Sequence, residues 1–292
     1  MNDICKLCHK KTDLKLSHII PKFLYRWLKG TSATGHIRLG QNPNVRVQDG
    51  FKEYWLCDEC ESRLNAWETE FANRIFYPSV QEDKNSFEYR EWLLKFAVSL
   101  SWRTLVYAKN IGVPHFSDEQ KQEADLALET WRDFLLGNIK NPRKYQQYII
   151  PVGIITKHSM PDLPRNMNFY LLRSLQLDAV ANKTQAFVYT KIPYFIFIGG
   201  VQLKPKQWKD TMVHVRKGII GGRNITLPQF FFNYLKEKAS RLKQIQKNIS
   251  EKQRKKMESC VGNNIEKLAE SETFKALNGD FELFGQDVFE DK

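Results

Sequence analysis

Two Cys-x-x-Cys pairs mark the first quarter of the chain, in the stretches CKLCHKKTDLKLSHIIPKFLYRWLKG (residues 5–30) and YWLCDECESRLNAWETEFA (residues 54–72). A two-residue spacer lets one tight turn supply two thiolates, and zinc prefers four such soft ligands in a tetrahedron. The spacing predicts a site for Zn²⁺ whose ligands are Cys5, Cys8, Cys57 and Cys60. Four thiolates leave no open coordination position, so this zinc is expected to be structural. An iron–sulfur cluster or two redox dithiols are the alternatives.

Cysteine usage and hydropathy indicate the compartment. The fifth cysteine, Cys260, stands alone in a basic stretch and is interpreted as a plain thiol. Paired cysteines without a dense disulfide framework are typical of metal binding in a reducing cytosol. The N-terminus has no apolar signal region, and no uncharged apolar run reaches the roughly 18 residues of a membrane-spanning helix. We therefore predict a cytoplasmic protein with no membrane partner.

The charge of the chain is high and unevenly distributed. Its 292 residues carry a formal net charge of +12, and 42% of them are hydrophobic, which is ordinary for a globular protein. Residues 233–258 contain nine Lys or Arg and three Glu, whereas residues 264–292 contain three Lys and eight acidic residues. The excess suits a polyanionic partner, although a well-solvated basic surface explains it as well. The acidic tail is expected to be solvated, to fold back on the basic helix, or to mask a nucleic-acid surface.

Helix signals are clear at several points. Ile20, Phe23, Leu24, Trp27 and Leu28 recur at helical spacing between Pro21 and Gly30. A helix is predicted to begin at the second cysteine pair and to end before Pro78. Two further helices are predicted in residues 88–110 and 117–136, the latter with a capping box formed by Ser117 and Gln120. Residues 227–259 predict one long helix that is basic in its second half.

Strand signals occur in the first quarter of the chain and again in its middle. Apolar, β-branched or aromatic runs predict strands in residues 45–48, 52–56, 148–155, 169–181, 185–191 and 194–203. Their spacing favours an antiparallel sheet. The paired glycines in FIGGVQL (197–203) and KGIIGGRNI (217–225) do not match a phosphate-binding loop and are interpreted as turns.

The cysteine-bracketed stretch resembles the HNH (ββα-metal) nuclease family on a treble-clef zinc scaffold. The resemblance rests on the two Cys pairs, on Ser17-His18-Ile19-Ile20-Pro21 between them, and on Glu61 at the head of the following helix. It implies a treble-clef zinc module in residues 1–80. Together with the helix and strand signals it predicts an α+β fold, with a helical and antiparallel-sheet companion domain in residues 81–232 and a basic helix with an acidic tail in residues 233–292.

The resemblance also implies roles for particular residues. Hydrolysis of a phosphodiester needs a base with a near-neutral pKa to activate water and a cation to absorb developing negative charge. By resemblance His18 is this base, and Glu61, or Asn65 one turn later, holds Mg²⁺ or Mn²⁺. Asn44 or Asn42 is the middle asparagine that orients the histidine or the cation.

Two positions depart from the family pattern. Ser17 stands where the family usually has a metal-binding Asp or His, and Glu61 replaces the usual Asn or His. A carboxylate is a good ligand for Mg²⁺, whereas a hydroxyl is a poor one. Structural alternatives remain open: His18 packs beside the zinc, and Glu61 complements the positive end of the helix dipole.

Basic residues surround the histidine in sequence. Phosphate contacts are predicted for five of them: Lys22, Arg26, Lys29, Arg38 and Arg46. The alternative is a solvated surface. The preferred function is a metal-dependent endonuclease acting on DNA, in bacterial defence against foreign DNA, with a protein partner bound through the C-terminal region. The rivals are a non-catalytic module that binds nucleic acid or protein, and a ligand-sensing effector. The nuclease interpretation predicts a cleft that joins His18, Glu61 and the basic residues.

Overall fold

The computed structural model describes residues 2–113, 115–160, 162–222 and 225–289. The described chain is a mixed α+β structure, as predicted. The strands are β1 (Asn2–Ile4), β2 (Lys11–His18), β3 (Ile37–Arg38), β4 (Arg46–Val47), β5 (Lys52–Cys57), β6 (Ser86–Arg90), β7 (Gln147–Pro151), β8 (Gln176–Ala181), β9 (Ala186–Ile192), β10 (Phe195–Gln202) and β11 (Lys217–Gly221). The helices are α1 (Lys22–Gly30), α2 (Asp58–Phe71), α3 (Tyr77–Gln81), α4 (Glu91–Ile111), α5 (Asp118–Leu136), α6 (Met167–Arg173), α7 (Gln229–Lys247), α8 (Glu251–Gly262), α9 (Ile265–Ala269) and α10 (Glu272–Phe284). Over the described residues, none of the helices has both the length and the apolarity needed to span a membrane.

The chain forms two compact units, and each draws on separated segments. The first unit comprises residues 1–21, 51–151 and 175–226; the second comprises residues 22–50, 152–174 and 227–292. The insertion between β2 and β5 therefore belongs with the C-terminal helices rather than with the cysteine pairs. The contiguous domains 1–80, 81–232 and 233–292 stay a prediction from sequence.

The core of the first unit is an antiparallel sheet with strand order β7-β10-β9-β8, as the strand spacing predicts. Helix α4 packs on this sheet, and hydroxyl and amide groups join the two layers where Ser101 Oγ donates to Gln147 Oε1 at 2.6 Å. A Cβ at Gly199 would lie 2.5 Å from Ser101 Oγ. The predicted turn at Gly199 is therefore wrong: this glycine lies inside β10, where α4 approaches too closely for a side chain.

Two predicted element boundaries in the first unit are corrected. The helix that begins at the second cysteine pair does not end before Pro78, because a wide π-type turn at Ala72–Phe76 connects α2 to α3. Pro78 then falls in the first turn of α3, where a missing N–H group is tolerated. The predicted strand of residues 148–155 ends at Pro151, which has no N–H group to donate to a neighbouring strand.

The second unit is mostly helical, and two predicted elements in it differ from the structure. Residues 169–173 were expected to continue a strand, but they form α6. The carboxylate of Asp280 in α10 accepts hydrogen bonds from the N–H groups of Asn168 and Phe169, at 2.7 and 2.9 Å. These are donors of the first helical turn that have no partner within the helix. A tertiary contact therefore stabilises a helix in a segment whose residue types favour a strand.

The predicted long basic helix is two helices. The N–H group of Ser250 donates to Asn44 Oδ1 at 2.8 Å instead of continuing α7. The carbonyl of Ser250 then accepts from the N–H groups of Gln253 and Arg254, which begins α8. Asn44 in the β3–β4 hairpin therefore interrupts the helix that the sequence of residues 227–259 predicts.

Candidate metal centre and histidine site

The four predicted zinc ligands come together in the first unit. Cys5 and Cys8 lie between β1 and β2, Cys57 ends β5, and Cys60 lies in the first turn of α2. Their sulfur atoms all lie within 4.8 Å of one another, and Cys8 Sγ is 3.7 Å from Cys57 Sγ. A tetrahedral ion with Zn–S bonds of about 2.3 Å requires S–S distances of about 3.8 Å. The cluster is therefore compatible with a structural zinc ion.

A hydrogen-bonded turn holds the first two cysteines. The N–H group of His9 donates to Cys5 O at 2.8 Å, and His9 itself adopts a left-handed conformation with φ of 60°. Burial opposes ionisation of Cys5, but N–H groups of Cys8, Cys57 and Leu7 lower the pKa of its thiol to about 7. The backbone therefore favours the thiolate form of Cys5, which is the form that binds a metal.

Strands β2 and β5 and helix α2 lie beside the cysteine cluster. Strands β2 and β5 are antiparallel, with Ser17 opposite Glu53 and His18 opposite Lys52. Helix α2 begins directly after β5. Ser17 is 3% exposed, and its Oγ donates to Glu61 Oε2 at 2.6 Å. The strand-strand-helix arrangement thus places the residue before His18 against the first turn of α2.

His18 ends β2 and is held through its backbone. Arg103 of α4 donates from Nη1 to the carbonyl oxygen of His18 at 3.0 Å. The same guanidinium group forms an ion pair with Glu68 of α2, with Nη1 2.7 Å from Oε1. The side chains of Arg103 and Glu68 are 4% and 14% exposed. His18 is half-buried as a residue, and its Nε2 atom is buried.

Two of the five acidic residues of α2 bear on the candidate site, Glu61 and Glu68. Burial raises the pKa of Glu68, while the charge of Arg103 opposes the rise and the charge of Glu61 adds to it. The two carboxylates are thus close enough to influence each other. Both residues are half-buried, and Oε2 of Glu61 accepts the hydrogen bond from Ser17.

Sequence reasoning did not identify Arg103 or Glu68. Two signals for them exist. Arg103 is the one charged residue in the apolar run FAVSLSWRTLVYA (residues 96–108), and a charge in such a run indicates a buried partner. Glu68 lies seven residues after Glu61, which places both on one face of a helix.

The asparagines proposed for the site lie in different places. Asn65 is exposed on α2. Asn42 and Asn44 belong to the second unit, where the Asn42 side chain accepts from the N–H group of Asn44 at 3.1 Å. The side chain of Asn44 donates to Asn248 O at 3.1 Å and accepts from Ser250 N. Both ends of the Asn44 amide are thus engaged by the turn between α7 and α8.

The predicted phosphate contacts also lie in the second unit. Lys22 and Arg26 are exposed on α1, and Lys29, in the last turn of the same helix, donates to Gln48 O at 2.6 Å. Arg38 and Arg46 face each other across the β3–β4 hairpin. The structure therefore groups Lys29, Arg38 and Arg46 around one hairpin.

Comparison of the chain with models of protein families, with curated proteins and with solved structures found no significant match.

Proposed function

We propose that the chain is a metal-dependent endonuclease of the HNH type that hydrolyses phosphodiester bonds in DNA. The observation that carries the proposal is the strand-strand-helix unit beside the four-cysteine cluster. It places Ser17, the residue before His18, against Glu61, with the 2.6 Å hydrogen bond between Ser17 and Glu61 as the contact. This is the relation that the resemblance to a treble-clef ββα-metal scaffold implies.

The chemistry assigns one task to each group. His18 accepts a proton from the attacking water as the water oxygen forms its bond to phosphorus and the bond to the leaving oxygen breaks. The leaving oxygen takes a proton from solvent. A bound Mg²⁺ or Mn²⁺ would stabilise the negative charge that develops on the phosphate and the leaving oxygen.

The donor set beside His18 fits such a cation. The Glu61 carboxylate would supply an oxygen atom, the kind of ligand that Mg²⁺ prefers, with the Ser17 hydroxyl as a weaker ligand beside it. Substrate phosphate and water complete the coordination of Mg²⁺ in sites of this kind. Arg103 positions His18, since it binds the carbonyl oxygen of that residue and is itself held by Glu68. The four cysteines hold the scaffold and take no part in the reaction.

A second candidate is a non-catalytic zinc module that binds nucleic acid or protein. Two observations favour it: Nε2 of His18 is buried, and the Glu61 carboxylate already accepts a hydrogen bond from Ser17. Under this alternative the same hydrogen bonds serve only to join β2, α2 and α4.

Replacement of Glu61 tests the cation role. We expect Glu61→Gln to raise the Mn²⁺ concentration for half-maximal plasmid cleavage by about tenfold or more, because even residues that only support metal ligands change metal affinity on that order. The matched control is Asp58→Asn, which removes one charge from the same helical turn at an exposed side chain paired with Lys15. Cleavage by Glu61→Gln with the Mn²⁺ dependence of the wild type would contradict the assigned cation role.

A further inference from the structure

Two basic segments that are far apart in sequence meet in the second unit. The β3–β4 hairpin carries Arg38 and Arg46. Helices α7 and α8 carry the basic residues of the C-terminal region. Asn44 joins the hairpin to the turn between α7 and α8 through the hydrogen bonds to Asn248 and Ser250. Arg38 adds a contact, since its Nη2 donates to Gln253 Oε1 in α8 at 3.2 Å.

The positive charges on the hairpin crowd one another. Burial lowers the pKa of His36, and the charges of Arg46, Arg38 and Lys29 lower it further. Burial also lowers the pKa of Arg38, and Arg46 contributes to that change. Like charges held this close repel each other, and a bound anion would relieve the repulsion. The hairpin therefore favours an anionic partner.

Helix α8 adds further positively charged side chains and is exposed to solvent. None of its described residues is fully buried. Lys252 and Lys256 are both exposed and lie four residues apart, which places them on one face of the helix next to Gln253. Arg254 instead donates to the carbonyl oxygens of Ile249 and Lys247, so it fixes α8 to the end of α7.

We propose that the β3–β4 hairpin and α8, joined by Asn44, form one composite surface that binds the phosphate backbone of duplex DNA. The proposal rests on the proposed function only in its choice of DNA as the polyanion. Positive side chains on two rigidly joined elements can contact several phosphates at once, and such contacts position a duplex without reading its sequence.

Removing positive charges from this surface tests whether it binds DNA. We expect the triple variant Arg46→Gln, Lys252→Gln, Lys256→Gln to bind a fluorescein-labelled duplex of about 20 base pairs, or two helical turns, about tenfold more weakly than the wild type. The slope of log affinity against log salt should fall by about one for each phosphate that the variant no longer neutralises. Anisotropy is measured without added divalent cation, so cleavage does not contribute. The charge-matched control replaces three exposed lysines of the first unit by Gln: Lys140, Lys183 and Lys206.

The junction is tested without any change of charge. Asn44→Ala should weaken duplex binding because the hairpin and α8 are no longer joined. Asn278→Ala, which removes an amide that donates to Glu282 in α10 of the same unit, should bind as the wild type does. Equal affinities for the triple variant and its charge-matched control would overturn the proposal. So would binding to vesicles containing phosphatidylserine with no binding to the duplex. A wild type that binds the duplex through this surface but does not cleave DNA would contradict the proposed function and leave the DNA-binding surface supported.

Discussion

Replacing Cys57 by Ser should abolish stoichiometric zinc binding and destabilise the chain by about 4 kcal/mol or more, because loss of a structural metal belongs to the largest class of mutational effects. Cys57 joins the end of β5 to the cluster, and its N–H group donates to Cys5 Sγ at 3.4 Å. Without the metal, the buried sulfur atoms of two knuckles lose the bonds that hold β1, β2 and α2 together. A fall in Tm on the order of 10 °C is expected for a chain of this size.

The matched control is Cys260→Ser. Cys260 lies in α8 of the second unit, outside the cluster, and this variant should keep one zinc ion per chain and the Tm of the wild type. Zinc is measured by mass spectrometry of the metal, and Tm by circular dichroism. Visible absorption from iron and sulfide would favour an iron–sulfur cluster instead. A wild-type protein purified without bound metal, with an unchanged Tm in Cys57→Ser, would contradict the structural zinc site.

Removal of either partner of the Arg103–Glu68 pair should destabilise the first unit by about 3–5 kcal/mol, because the remaining charge stays buried without its partner. Arg103→Met leaves the carboxylate of Glu68 in a site that is 14% exposed. Glu68→Gln leaves the guanidinium group of Arg103 with the carbonyl oxygen of His18 as an acceptor but without a counter-charge. The double variant Arg103→Met, Glu68→Gln should cost less than the sum of the single changes, since it leaves no unpaired charge.

An exposed ion pair provides the comparison. Lys121 and Asp118 lie 2.8 Å apart in α5, with side chains 49% and 93% exposed. Lys121→Met should change the free energy of unfolding by no more than about 1 kcal/mol, the usual range for exposed pairs. Urea denaturation followed by tryptophan fluorescence measures all four variants. Additive costs at Arg103 and Glu68 would show that the two side chains do not act as a pair.

Local rules predicted the features that depend on neighbouring residues. The Cys-x-x-Cys spacing identified the four residues whose sulfur atoms cluster, because each knuckle is a local turn. The capping box of Ser117 and Gln120 is formed as predicted, and Gly137 ends α5 with a φ of 89°. The antiparallel order of β8, β9 and β10 followed from β-rich runs with short connections, since antiparallel neighbours need no more than a short connection.

Features that depend on distant contacts were not predicted. Residues 169–173 become helical because Asp280, more than a hundred residues later, accepts the N–H groups of the first turn. The basic helix ends at Lys247 and a second helix begins at Glu251, and in the turn between them Asn44 accepts the N–H group of Ser250. At the candidate site, Ser17 and Glu61 both lie in the motif that carries the resemblance, whereas Arg103 belongs to a helix outside that motif.

The most direct measurement is cleavage of supercoiled plasmid by zinc-loaded protein with Mg²⁺ or Mn²⁺, comparing the wild type with His18→Ala and His214→Ala. His214 is an exposed histidine of the same unit, outside the candidate site. The account predicts that the wild type and His214→Ala nick the plasmid at the same rate. It also predicts that His18→Ala, with its zinc content unchanged, is slower by at least about 100-fold, the usual contribution of a general base. Equal rates for all three proteins, or no cleavage by the wild type, would contradict the account.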